Sequence, residues 1–170
     1  MYNYELSDSA LKTWIRLRQA SGAMEKVLEK DLDKQGSTPG QLDVLATLDA
    51  LENPTTPGYL SDYLFREKHS MSAQLSRMWK AGTIKKTRSK KDQRVVKVVI
   101  TAKGKERLAK SKVVMGQAQE IVSSALSEQE LVQFDELLTK VRDKALEKMG
   151  QKAEKLPEGF DVARFEGGVE

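Results

Sequence analysis

The chain has no cysteine and a single histidine, His69. Without a thiol there is no disulfide, no thiolate zinc site, no cysteine nucleophile and no thiol redox switch. One imidazole likewise argues against a metal centre. Aromatic residues are scarce at 6%, and no stretch approaches the roughly 20 apolar residues of a membrane-spanning helix. The opening residues MYNYELSDSA bring neither the basic start nor the apolar run of an export signal. A soluble, cytoplasmic protein with no membrane partner is expected. A glycine-rich phosphate loop is also missing, as is any acidic pair framed by apolar pocket residues. No catalytic residues, no cofactor and no metal are expected of such a chain.

What the chain does have is charge sorted by position. Between Arg66 and Lys112 sixteen Lys or Arg face only Glu67, Asp92 and Glu106, a net of +13 in 47 residues, whereas the whole chain is only +4. The flanking segments are therefore acidic. A cationic block between anionic segments is the electrostatic footprint of a protein that meets a polyanion with one face. Because phosphate neutralisation supplies most non-specific DNA affinity, nucleic acid is the first partner to consider. A merely solvated basic surface would scatter its excess instead. With 170 residues, 32% of them charged, the chain fits one domain with a real core or a small domain with helical extensions.

Helical periodicity dominates both ends. Leu11, Trp14, Ile15, Leu17, Met24, Val27, Leu28 and Leu32 predict a long first helix, capped by Ser7 or Asp8 and stopped by Gly36. Ser37-Thr38-Pro39 supplies a cap and an N1 proline for a second helix with Leu42, Leu45, Leu48 and Leu51 on one face, closed by Asn53-Pro54. Thr56-Pro57 repeats that start for a short third helix ending near Phe65. Ser70 is expected to cap a fourth helix, with Met71, Leu75 and Met78 inward and Gly82 in the left-handed C-terminal position. Its outward residues, Ser72, Ala73, Ser76, Arg77 and Lys80, have no apolar reason to be buried. After Gly82 the period becomes 2: Ile84 begins a strand, Arg88 to Arg94 is a polar loop, and Val95 to Ile100 is β-branched, which predicts a hairpin. Thr101 caps a fifth helix whose Leu108, Met115, Ala118, Val122 and Ala125 approach a heptad seam. Ser127-Glu128-Gln129-Glu130 is a capping box that opens a sixth helix with Leu131, Phe134, Leu138, Val141, Ala145 and Met149, ended by Gly150.

This order predicts a mainly α fold with a small β-hairpin wing: a winged helix-turn-helix between N- and C-terminal helices. The divisions are 1–36, a first helix; 37–102, the winged unit; 103–150, the last long helices; and 151–170, a tail in which Phe160, Val162 and Phe165 offer apolar docking points. An α-helix fits the DNA major groove with its N-terminal residues at base edges while flanking groups hold phosphates. The residues set toward double-stranded DNA are Ser70, Ser72, Ala73, Gln74, Ser76, Arg77 and Lys80 on the helix, with Arg88, Lys90, Lys91 and Arg94 on the hairpin. His69, a turn residue in this reading, sits where a phosphate contact fits. Trp79 is expected to pack on the hairpin or the first helix.

The stretch His69-Ser70-Met71-Ser72-Ala73-Gln74-Leu75-Ser76-Arg77-Met78, then Gly82-Thr83-Ile84, Asp92-Gln93-Arg94 and Ile100-Thr101-Ala102-Lys103-Gly104, resembles the MarR family of winged-helix transcriptional regulators, over roughly Leu11 to Met149. Gln74, Trp79 and Thr83 stand where that family more often has an apolar, a charged and an aliphatic residue. The resemblance implies a homodimer built by the first helix and the last two, here through Leu11, Ile15, Leu131, Phe134, Leu138 and Val141. It also implies that Arg94 reads the minor groove, with Asp92 orienting it or a basic neighbour. It further implies a sequence-specific repressor on a pseudo-palindromic operator, released by a small aromatic effector in a crevice for which Trp14, Tyr59 and Tyr63 are candidates. The competing reading is a winged-helix protein that binds DNA without sequence preference, in an architectural or replication role. A coiled-coil adaptor would not need the basic hairpin tip.

Overall fold

The computed structural model describes residues 7–51, 53–89, 92–153, 155–157 and 159–166. In chain order the elements are α1 (Ser9–Asp33), α2 (Pro39–Ala50), α3 (Pro57–Tyr63), α4 (Lys68–Lys80), β1 (Ile84–Arg88), β2 (Val96–Ile100), α5 (Ala102–Ala125), α6 (Glu128–Lys148) and α7 (Val162–Glu166). The fold is mainly helical, with β1 and β2 forming one antiparallel hairpin in which Ile84 pairs with Ile100 and Arg88 with Val96. Among the described residues no helix is long and apolar enough to cross a membrane.

Local chemistry explains most boundaries. Asp8 accepts the Leu11 N–H at 2.9 Å and starts α1. Thr38 and Thr56 do the same for Gln41 and Tyr59, each followed by a proline whose missing N–H costs nothing at N1. Ser127 and Glu130 form the full capping box of α6, with the Glu130 carboxylate accepting the Ser127 N–H at 2.9 Å. The two hydrogen bonds from Ser127 hold the Glu130 carboxyl below its ordinary pKa. The fourth helix departs from expectation. It begins at Lys68 rather than after Ser70, and its N-cap, Glu67, makes no side-chain cap bond. His69 is therefore in a helical first turn.

The core lies where α2 is wrapped. Leu42, Val44, Leu45, Ala46, Leu48 and Ala50 are all buried, because α1, α5, β2 and α7 each pack on this helix; one apolar face was expected, and nearly every side is covered. Leu60 from α3, Met71, Leu75 and Met78 from α4, and Ile84 and Val98 from the hairpin complete the winged unit, and Leu32, Leu108 and Val114 fasten α1 and α5 to it. In α5 the buried row is Gly104, Leu108, Ser111 and Val114, not the simple heptad seam, because this half of the helix faces the core. Ser111 is accommodated there by donating to Gln35 Oε1 at 3.3 Å.

Beyond the core the helices run into solvent. The N-terminal part of α1 exposes Leu11, Trp14 and Leu17, and α6 exposes Val132, Phe134, Leu137 and Val141, the last at 54%. The described residues 159–166 of the tail return to α2. Phe160 bridges to Leu51 and the Asp161 N–H donates to the Ala50 carbonyl at 2.8 Å, which sets α7 against α2.

Candidate nucleic-acid interface

The surface that brings the predicted residues together is built from the C-terminal end of α4, the hairpin and the first turn of α5. Thr83 is buried, and both its N–H and its hydroxyl donate to the Met78 carbonyl, each at 3.1 Å. A threonine where an aliphatic is usual thus closes the last turn of α4. Thr101 caps α5 through the Gly104 N–H and also donates its hydroxyl to the Gly82 carbonyl at 2.7 Å, while Lys103 Nζ reaches the Ala81 carbonyl at 2.8 Å. Gly104 lies so close to the hairpin that a Cβ would stand 2.1 Å from the Thr83 carbonyl oxygen. That contact explains the Thr-x-x-Gly spacing physically. A third backbone segment braces the wing: Thr55 pairs with Val98, with N···O distances of 3.2 and 2.7 Å.

On this frame α4 presents two faces. Met71, Leu75 and Met78 are each 1% exposed. Opposite them Ser70, Ser72, Ala73, Arg77 and Lys80 are exposed and Ser76 is half-buried. Gln74 departs from its expected place: it is half-buried and its Nε2 donates to the Gly40 carbonyl at the start of α2. An amide at this position, one turn from Met71 and Met78, faces the neighbouring helix, so it holds α4 against α2. Trp79 is half-exposed, with Lys86 Nζ from β1 5.2 Å from its ring centroid, which is the expected packing on the hairpin. Arg66, just before α4, lies 3.6 Å from Asp43, whose carboxyl is raised by burial and only partly offset by that guanidinium.

The hairpin tip is organised by Asp92. Its carboxylate accepts the Arg94 backbone N–H at 2.9 Å, and its carbonyl accepts the Val95 N–H at 3.0 Å. Arg88 reaches along the loop to donate to the Gln93 carbonyl at 2.6 Å, so it spends part of its donor capacity on the turn. Lys90 and Lys91 lie outside the described residues. The side chains of Arg77, Lys80, Lys85 and Arg94 make no hydrogen bond or ion pair to another described residue. By contrast, Lys105 and Lys110 are paired with Asp49 and Glu106. Arg77 and Lys80 of α4 thus stand in the same winged unit as Lys85 and Arg94 of the hairpin.

The remaining predicted residues fall elsewhere. Tyr59 and Tyr63 are stacked, with centroids 5.8 Å apart, beside a groove near the end of α6. Trp14 is not part of that groove; it is 53% exposed on α1 beneath the Arg18 guanidinium. Leu11, Phe134 and Val141 are exposed, while Ile15, Leu131 and Leu138 are half-buried. Among the described residues no group of three or more His, Asp or Glu is placed to hold a metal. Sequence reasoning missed Thr55 and Lys103, which brace the site through backbone groups and carry no composition signal.

A sequence model of the MarR family matches residues 35–95, the span that contains α2, α3, α4 and β1. No curated protein sequence matches the chain. The organohalide-sensing transcriptional regulator RdhR in its 2,4-dichlorophenol-bound form is similar at TM-score 0.74 and 22% identity, over 85% of each chain. MepR of S. aureus in complex with DNA gives 0.73 and 22%, over 82% of this chain and 99% of that one. A MarR mutant from E. coli in complex with operator DNA gives 0.72 and 20%, over 81% and 99%. Residues 35–95 thus match the MarR family, and the chain as described has the winged-helix fold of MarR-family transcriptional regulators.

Proposed function

We propose that this chain is a sequence-specific DNA-binding regulator, a repressor, that acts as a homodimer on a pseudo-palindromic operator. The observation that carries the reading is the exposed Ser72, Ala73, Arg77 and Lys80 face of α4, followed in the chain by the wing that carries Arg94, with the side chains of Arg77, Lys80 and Arg94 unpaired among the described residues and the frame beneath them hydrogen-bonded. Unpaired cations on a rigid helix and hairpin suit a helix in the major groove and an arginine in the adjacent minor groove. The solved DNA complexes of MepR and MarR, which have the same fold, support this choice of partner.

A homodimer follows from the exposed apolar rows. A lone 21-residue helix that leaves Phe134, Leu137 and Val141 in water is poorly covered, and a second copy packed about a two-fold axis would cover it. In this reading residues 1–36 and 103–150 are the dimerising helices and 37–102 the DNA-binding unit. Two recognition helices would then meet half-sites about one helical turn apart. A small aromatic effector releases the DNA, in line with the phenol-bound relative.

The test is selection of bound sequences from a random DNA pool. A two-fold symmetric consensus bound about 10³-fold or more above random DNA is expected. A pool that stays random would favour the non-specific, architectural reading.

A further inference from the structure

The apolar side of α4 specifies its position only loosely. Two of its three buried residues, Met71 and Met78, are methionines, unbranched side chains that fill irregular gaps and tolerate small shifts of the helix. α4 rests chiefly on α3 and β1. Apolar burial is non-directional, so it holds the helix down without fixing its rotation about its own axis.

A directional contact stands beside this apolar stripe. Gln74 is half-buried, and its Nε2 donates to the Gly40 carbonyl in the first turn of α2. Gly40 is the residue type that this contact needs: a Cβ there would stand 3.1 Å from Gln74 Oε1 and 3.3 Å from its Nε2, tighter than ordinary contact. The missing side chain leaves the seat in which the amide lies. One turn along the same side of α2, Asp43 faces Arg66 at 3.6 Å, but both side chains are nearly half exposed, and such a pair adds little rigidity. The seat of Gln74 is the point at which α4 is keyed to α2.

The place of Gln74 on the helix gives the key a consequence. Ser70 and Arg77 are its i−4 and i+3 neighbours, so the three residues share one flank of α4, with Gln74 turned toward the protein and Ser70 and Arg77 exposed. Rotating a helix by about 20° carries a group about 6 Å from its axis through about 2 Å, more than a hydrogen bond to a base edge tolerates.

We infer that Gln74 is a positioning residue for sequence specificity: its bond to Gly40 sets the rotation of α4 on α2, and so the direction in which Ser70 and Arg77 meet the bases. Gln74 itself touches no base. The inference rests on the reading of α4 as the helix that enters the major groove.

A double-mutant cycle on the full chain tests it. The specificity ratio, affinity for a selected operator over a scrambled duplex, is measured for wild type, Arg77→Ala, Gln74→Met and the double variant; methionine keeps the side-chain length and removes the donor. Arg77→Ala should lower the ratio about ten-fold or more in the wild-type background and about three-fold or less beside Gln74→Met, because a misdirected guanidinium has already lost its base. Gly40→Ala, which leaves Gln74 in the chain and fills its seat, should blunt the effect of Arg77→Ala in the same way. Thermal melting establishes that each variant is folded. Equal effects of Arg77→Ala in all three backgrounds would overturn the inference and leave Gln74 a structural residue. A Gln74→Met chain that changes its preference at one base pair while the effect of Arg77→Ala stays whole would overturn it as well, with Gln74 then a direct reader. Failure of the underlying reading is seen separately, in the wild type alone: equal affinity for operator and scrambled duplex refutes that reading and this inference together.

Discussion

The Asp92 carboxylate accepts the backbone N–H of Arg94 at 2.9 Å, and its own carbonyl accepts the N–H of Val95 at 3.0 Å. The acid thus closes the turn from which Arg94 projects, acting on its backbone and leaving its guanidinium free. Asp92→Ala should weaken DNA binding although it removes a negative charge, by about 1 kcal/mol for one lost hydrogen bond that orders the tip. Asp92→Asn, which keeps an acceptor oxygen, should recover much of the loss, and Arg94→Ala should exceed it. Fluorescence anisotropy on one duplex checks all three; tighter binding by Asp92→Ala at every salt concentration would reduce the wing to a cationic patch.

Gly104 is fixed by a close approach rather than by φ. A methyl group there would meet the Thr83 carbonyl oxygen at 2.1 Å and Ile100 Cγ1 at 2.7 Å, and the first of these is backbone and cannot rotate away. Gly104→Ala should cost about 1–3 kcal/mol or more. Gly116→Ala, on the same helix with no heavy atom within 4 Å, should instead stabilise by about 0.5–1 kcal/mol. Thermal melting of the pair gives opposite signs if the two environments are as described.

These glycines also mark how far the sequence could be read. Caps were legible because they are local: Thr38-Pro39, Thr56-Pro57 and Ser127 with Glu130 each carry their partner within three residues. The start of α4 was misplaced because Glu67 makes no side-chain cap bond and so leaves no signature. Gln74 looked outward by composition, yet it bonds to Gly40, 34 residues away. Ser111 and Val114 in α5, the Thr55 bridge and the docking of Phe160 are likewise decided by distant segments. Periodicity placed the elements; the side on which a polar residue is used was settled by tertiary contacts.

The capping box makes a pH prediction. Hydrogen bonds from Ser127 lower the Glu130 pKa in the folded chain, so its contribution is present above the ordinary carboxyl value and is lost as pH falls through the lowered folded value. The melting-temperature gap between wild type and Glu130→Ala should be open at pH 7 and shrink as the pH is brought below 4. A gap that widens in acid would show that the carboxylate does not act through this cap.

The exposed α6 row predicts the oligomer. Val141 is 54% exposed in the single chain, and in the proposed dimer it meets a second copy. Val141→Asp should dissociate the assembly at micromolar concentration because an unpaired charge would be buried. Sedimentation should give twice the 19.1 kDa of one chain for wild type and the single mass for the variant. A wild-type monomer would leave the α6 row without the partner proposed for it.

The central claim is that the outward face of α4 reads DNA sequence, and Arg77 is the residue on which it turns. Its side chain is exposed and makes no hydrogen bond or ion pair to another described residue, on the face opposite the buried Met71, Leu75 and Met78. The most direct measurement is the affinity of wild type and Arg77→Ala for a selected operator and for a scrambled duplex of the same length at one fixed salt concentration. The account predicts a loss of about 1–3 kcal/mol on the operator and a much smaller loss on the scrambled duplex, so that the specificity ratio falls. Equal losses on both duplexes would contradict it, because Arg77 would then be a phosphate contact and α4 would carry no sequence information.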